Sequence, residues 1–353
     1  MNIYDFLSQA TKEEASDLFI VAGLPLSYKV NNTLHTFGED RCTPDATDEL
    51  IAQIYELAGK RSMEVLKARG DDDFSFAIPG LSRFRVSTYR QRGSLAAVIR
   101  VIVFQLPDPD ELHIPPSIMR LGQYTKGLVL VTGPAGSGKS TTLACIIDQI
   151  NETHEGHIIT LEDPLEFLHR HKKSIVSQRE VSSDTASYVA ALRAALRQAP
   201  DVILLGEMRD YETINIAMTA AETGHLVIST LHTIGASSTI ERIIDVFPPA
   251  QQHQITIQLA SVLQAVASQQ LIPTSDGTRI PAFELMTMTP AIRNMIRENK
   301  VHQIDGHIYS SATDTMFSMD TSLMKLCKEG TISRKDALHY ASNPDMLAKK
   351  LPL

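Results

Sequence analysis

At 353 residues the chain is long enough for two cores of the usual ~100 to 200 residues each, and 43% hydrophobic with 21% charged residues excludes a disordered polymer. A net charge of −8 excludes the broad basic footprint that nucleic-acid binding needs, so no nucleic-acid partner is expected. Cys42, Cys145 and Cys327 are odd in number and far apart, which excludes a disulfide framework and a CxxC zinc site and points to a reducing compartment.

The opening segment MNIYDFLSQATKEEASD carries acids and lacks the apolar stretch of a signal peptide, so a cytoplasmic protein is expected. An amphipathic helix near residues 2 to 15 precedes DLFIVAGLPLSYKVNNTL, which reads as strands with a turn at Asn31-Asn32. Residues 45 to 69 read as helical. Next, DFSFAIPGLSRFRVSTYRQRGSLAAVIRVI gives three strands separated by Pro-Gly and Arg-Gly turns, with Phe74, Phe76 and Ile78 alternating. Residues 1–105 therefore read as a small α+β domain, and the proline-rich stretch FQLPDPDELHIPPS supplies a semi-stiff linker over 106–118.

Within 119–353, apolar runs at 127 to 132, 157 to 161, 202 to 205 and 225 to 230 alternate with helical stretches, the pattern of a mostly parallel sheet. The uncharged stretch from Gln254 to Ser275 places Ile255, Leu259, Val262, Leu263 and Val266 on a helical period and reads as one buried helix.

The segment GLVLVTGPAGSGKSTTLACII sets Gly133 to Ser140 in the form GxxxxGK[ST] between an apolar strand and a helix. Through Gly133, Pro134, Ala135, Gly136, Ser137, Gly138, Lys139, Ser140 and Thr141, such a loop turns backbone N–H groups toward phosphates, with the helix N-terminus behind them. Lys139 would reach the β and γ phosphates, and the Ser140 hydroxyl would hold Mg²⁺. Without an NKxD segment to read guanine, ATP is the expected nucleotide.

A nucleoside triphosphatase needs one carboxylate at the metal and another group to orient water. HIITLEDPLEF ends on Glu162-Asp163, with Glu166 beyond, and DVILLGEMRD ends on Glu207. The plain alternative for each is a solvated acid closing a strand. TGHLVISTLHT begins with His225 and closes with His232. A lone histidine is usually a surface or capping residue, but at a strand end a neutral imidazole can report the γ-phosphate.

Together, GPAGSGKS, ITLEDPLE, LRQAPDVILLGEMRD and TGHLVISTLHT resemble the Walker A, Asp box, Walker B and His box of the secretion and pilus ATPase superfamily. RIIDVFPPAQQHQITIQLASVLQAVASQQLIP and TPAIRNMIREN extend the likeness to its pilus-retraction branch over essentially the whole chain. The resemblance implies a RecA-like P-loop domain behind a PAS-like N-terminal domain, assembled as a cytoplasmic homohexamer on an inner-membrane pilus platform protein, with a PilU-like paralogue as a further partner.

The same likeness makes Glu162 the catalytic glutamate and Glu207 the Walker B acid at Mg²⁺. It places arginines of the small domain at a neighbour's phosphates, for which Arg85 and Arg100 are chosen; surface salt bridges are the alternative. Ala291, Ile292 and Arg293 fall in a segment associated with retraction, although its periodicity alone describes an amphipathic helix. Phe19 and Ala135 stand where relatives carry histidine and threonine, and the four-cysteine zinc site of extension and secretion relatives is missing, so no zinc is expected. Pilus assembly, protein secretion and an accessory role with little independent turnover are the rival readings.

Overall fold

The computed structural model describes residues 2–30, 33–102, 106–311 and 313–351. The expected Asn31-Asn32 turn and the Phe104-Gln105 start of the proline-rich stretch lie outside the described residues. The chain forms two compact units, one of residues up to 105 with 165–168 and one of the remainder.

In the first unit, α1 (Ile3–Lys12) starts where the Asn2 side chain accepts from the Tyr4 N–H, and α2 (Pro44–Leu57) where Thr43 caps the chain before a proline. The helical span expected over 45 to 69 is two helices: Gly59 and Lys60 turn left-handed after α2, and α3 (Glu64–Arg69) follows. The strands β1 (Asp17–Ile20), β2 (Leu26–Val30), β3 (Thr33–Phe37), β4 (Asp71–Ile78), β5 (Ser82–Gln91) and β6 (Ser94–Ile102) form one sheet in the order β3-β2-β1-β6-β5-β4. Adjacent strands are antiparallel. On β5, Phe84 and Val86 are buried while Arg83 and Arg85 take the other face. Gly80 and Gly93 adopt the positive φ that the two tight turns require.

The second unit begins with α4 (Pro116–Met119) and β7 (Gly127–Thr132), and continues through α5 (Lys139–Thr153), β8 (His157–Glu162), β9 (Ile175–Glu180), α6 (Tyr188–Ala195), β10 (Val202–Leu205), α7 (Tyr211–Glu222), β11 (Leu226–Leu231), α8 (Ala236–Asp245) and α9 (Pro249–Val262). It ends with β12 (Leu263–Pro273), β13 (Arg279–Thr287), α10 (Pro290–Arg297), α11 (Ile304–Ser311), α12 (Met319–Lys328), α13 (Arg334–His339) and α14 (Pro344–Ala348). The sheet order is β13-β12-β7-β11-β10-β8-β9, parallel except for the antiparallel edge strand β13. Cores on both faces explain why β7, β10 and β11 are buried along their whole length without alternation. This is the α/β class expected from the alternating runs.

The single helix expected from Gln254 to Ser275 is corrected. α9 stops at Val262 and the chain continues as β12 between β7 and β13. Val266 enters one core while Ala265 and Ala267 enter the other, a period of two. A strand buried on both faces leaves no polar alternation, so the helical spacing ran on through it by coincidence. No helix of the described residues is long and apolar enough to cross a membrane.

Candidate nucleotide site

β7 is buried along its length and delivers the chain to the loop 133–138, after which α5 starts at Lys139. Gly133 sits at φ +141°, where an added Cβ would stand 2.1 Å from the Gln269 carbonyl oxygen, and Gly138 caps α5 in the left-handed region. Gly138 brings no capping side chain to α5, and the N-terminus of a helix suits an anion. Ser137 Oγ is buried with no hydrogen-bond partner among the described residues. A loop whose first glycine admits no Cβ, an orphaned hydroxyl and a helix N-terminus that begins on a glycine fit a phosphate group. Lys139 is nearly buried; its Nζ donates to the carbonyls of Gly133 at 2.8 Å and Pro134 at 3.0 Å.

The parallel strands bring their C-terminal ends to the edge where the loop lies. Glu162 closes β8 and accepts from Gln178 Nε2 of β9 at 3.4 Å. Glu207 stands two residues beyond β10, with Arg209 at 2.8 Å on one oxygen and His232 Nε2 at 3.2 Å on the other. His232 follows β11, and its Nδ1 lies 3.4 Å from Lys139 Nζ. Lysine, imidazole and carboxylate thus form one connected row at the sheet edge. Ser140 and Thr141 occupy the first turn of α5, beside Lys139.

Gly206 permits the approach of these strand ends, because a Cβ there would meet the Tyr188 hydroxyl at 2.9 Å and the Leu161 carbonyl at 3.2 Å. Burial raises the Tyr188 phenol above its ordinary range, and the charges of Asp163, Glu162 and Glu207 raise it further. The phenol therefore stays protonated beside three carboxylates. The hydroxyl of Ser140 and the carboxylate of Glu207 are hard oxygen donors suited to Mg²⁺, which needs few protein ligands when phosphates and water fill the rest of its shell.

His225 is not brought to this group. It precedes β11, with Nδ1 3.0 Å from the Ala220 carbonyl, and its own carbonyl accepts from Gly127 at the start of β7. That is the opposite edge of the sheet from His232, some 20 Å away at ~3.3 Å per strand residue. A parallel strand has only one end beside the phosphate loop, and the expectation for His225 is corrected on that ground.

In the first unit Arg85 and Arg100 are direct cross-strand partners on β5 and β6, and Arg100 pairs with Asp17 of β1 at 3.0 Å. At the start of α10, Ala291 is exposed and Ile292 is fully buried. Arg293 donates to the carbonyls of Ala260 and Ser261 in the last turn of α9, where a cation complements the helix C-terminus.

Four residues at the site escape a reading of motifs: Tyr188, Arg209, Thr142 and Gln269. The last carries a sequence signal, since Gln269-Gln270 interrupts an apolar run just before a proline.

A family model described as type II/IV secretion system protein matches residues 2–333. Over 345 residues the chain is 44% identical to the type IV pilus retractation ATPase PilT of Pseudomonas aeruginosa, covering 98% of this chain and 99% of that protein. It is 37% identical over 354 residues to the type IV pilus ATPase PilU of the same organism, covering 100% and 92%. A crystal structure of the pilus retraction motor PilT with bound ADP superposes with a TM-score of 0.89 at 43% identity, covering 99% of each chain. On these matches the chain belongs to the type II/IV secretion system protein family.

Proposed function

We propose that this chain is an ATPase that powers retraction of type IV pili. The observation that carries the reading is the row Lys139, His232 and Glu207 at the mouth of an intact phosphate loop, in a chain similar over nearly its whole length to a retraction ATPase. In this reading the loop Gly133–Thr141 holds the phosphates, and Lys139 exchanges its two carbonyl partners for phosphate oxygens. Ser140 and Glu207 hold Mg²⁺, which when bound neutralises charge developing on the transferred group. Glu162 orients and deprotonates the attacking water, while His232 ties the lysine to the Walker B acid and registers the γ-phosphate.

The working form is a homohexamer at the cytoplasmic face of the inner membrane, acting on a pilus platform protein. Arg85 and Arg100 act on a neighbour's nucleotide, and the 106–118 linker is the hinge between domains. Ala291, Ile292 and Arg293 pass the motion to retraction. Arg293 suits that task through its bonds to α9, which leads directly into the strand beside β7.

The test is to purify the chain, measure phosphate release from ATP, and complement a retraction-deficient deletion strain with wild type and Lys139→Ala. Turnover and restored twitching, both lost in Lys139→Ala, are expected. Pilus extension or protein secretion restored in place of retraction would overturn the reading. Turnover only in rings mixed with a paralogue would place the chain in an accessory, PilU-like role, a rival favoured by the full-length likeness to PilU.

A further inference from the structure

Gln269 is 2% exposed on β12, the strand beside β7. The register of these parallel strands ends with Ser268 opposite Thr132, so Gln269 stands level with Gly133, the first residue of the phosphate loop. Its carbonyl oxygen lies 2.1 Å from where a Gly133 Cβ would stand, and its Nε2 lies 3.0 Å from where a Gly138 Cβ would stand. Its Oε1 accepts a 2.8 Å hydrogen bond from Thr142 Oγ1, a buried hydroxyl in the first turn of α5. One side chain and its carbonyl therefore touch the first glycine of the loop, the last glycine of the loop and the helix that follows.

The preceding residue, Ser268, accepts from the Gly235 N–H in the loop after His232. Successive residues point to opposite faces of a strand, so β12 grips both loops that meet at Lys139. A fully apolar residue of the same volume would pack this position at less desolvation cost, which leaves the contacts with the loop as the reason for an amide.

We propose that Gln269 is a positioning residue for the phosphate loop: by bonding Thr142 and packing on Gly133 and Gly138 it fixes the loop relative to α5 in the shape that receives a nucleoside triphosphate. Backbone donors act on phosphate only when their directions are set in advance, and a loop joined to the sheet through glycines has little stiffness of its own. Gln269 supplies the stiffness from behind, without touching the ligand.

This inference rests on the nucleotide reading above, and its test separates the two. The full-length protein is titrated with a fluorescent ATP analogue and assayed for ATP hydrolysis as Gln269→Leu, Thr142→Val, the double variant and Thr142→Ser, with melting followed in parallel. Gln269→Leu and Thr142→Val should each weaken nucleotide binding roughly ten-fold, about what a lost buried hydrogen bond confers. KM should rise by a similar factor with kcat much less affected. The double variant should be no weaker than either single one, and Thr142→Ser, which keeps the hydroxyl, should bind as wild type does.

Wild-type affinity in a folded Thr142→Val protein would overturn the proposal even if Gln269→Leu failed to fold. Lowered melting with unchanged affinity would assign the pair to the core alone. Absence of nucleotide binding by the wild type would instead overturn the ATPase reading.

Discussion

His232 Nε2 lies 3.2 Å from a carboxylate oxygen of Glu207, while its other ring nitrogen lies 3.4 Å from Lys139 Nζ. Since lysine can only donate and glutamate can only accept, these partners select the tautomer with the proton on Nε2. A neutral imidazole can serve both neighbours at once. His232→Ala should lower kcat by about 10²-fold, the low end for loss of one positioned polar group beside developing charge, with a smaller change in nucleotide affinity. A kcat within a factor of about two of wild type, an energy difference well below 1 kcal/mol, would remove His232 from the chemistry.

Glu162 and Lys139 should separate cleanly in a binding assay. Glu162 stands at the end of β8 with Gln178 as a neighbour and makes no part of the loop, so Glu162→Gln should abolish hydrolysis and leave ATP bound. Lys139→Ala removes the only side-chain cation of the loop and should lose affinity as well as turnover. Hydrolysis surviving in Glu162→Gln would transfer the role of base to another group.

Gly133 and Gly136 both have positive φ but differ in surroundings. A Cβ on Gly133 would overlap the Gln269 carbonyl, and one on Gly136 would meet nothing within 4 Å. Gly136→Ala should cost only the left-handed backbone penalty, about 1 to 2 kcal/mol. Gly133→Ala must also move β12 or the loop and should cost roughly 3 kcal/mol or more, with nucleotide binding lost. Melting curves recorded without nucleotide should rank the two; equal losses would place the strain elsewhere.

The contrast between these glycines marks where sequence stops being informative. The strands carrying Glu162, Glu207 and His232 were legible because a strand buried on both faces must be apolar, and its first charged residue then marks the rim. β12 was not, since its apolar residues continued the helical spacing of α9, and with it went the wall of the phosphate loop. His225 and His232 bound the same strand, and only the common direction of the parallel strands tells which one stands beside the loop. The juxtaposition of Arg85 and Arg100 depends on register between β5 and β6, which the turn at Gly93 sets and no motif records.

Acid should weaken one anchor on α5. Burial acts to raise the Asp148 carboxyl, but His169, whose Nδ1 lies 4.0 Å from it, and Lys172, which donates to it at 2.9 Å, outweigh burial and hold the group below its ordinary value of 3.8. A carboxyl depressed in the folded state stabilises it above the unfolded value, and that stability is lost as pH falls through the folded one. Asp148→Asn should therefore cost about 1 kcal/mol near neutrality, and the gap to wild type should narrow as pH drops from about 5 toward about 3. A gap that stays constant over that range would show that packing, not charge, is lost.

Arg85 and Arg100 face each other across β5 and β6, where like charges repel, and Asp17 offsets one of them. A pair retained against that repulsion is suited to an anion held outside the sheet, which is the role proposed for it at a neighbour's triphosphate. Loss of such an arginine costs ~10³-fold or more in turnover, and lysine should not restore it, because the guanidinium fork is what grips phosphate in two directions. Mixing Arg85→Ala subunits with Glu162→Gln subunits makes junctions that combine an intact arginine with an intact glutamate, so part of the activity should return although neither variant works alone. Mixtures as inactive as their components, with subunit exchange verified, would mean that Arg85 serves the nucleotide of its own chain or none. Repeating the experiment with Arg100→Ala decides whether the residue tied to Asp17 shares the task or only steadies its partner.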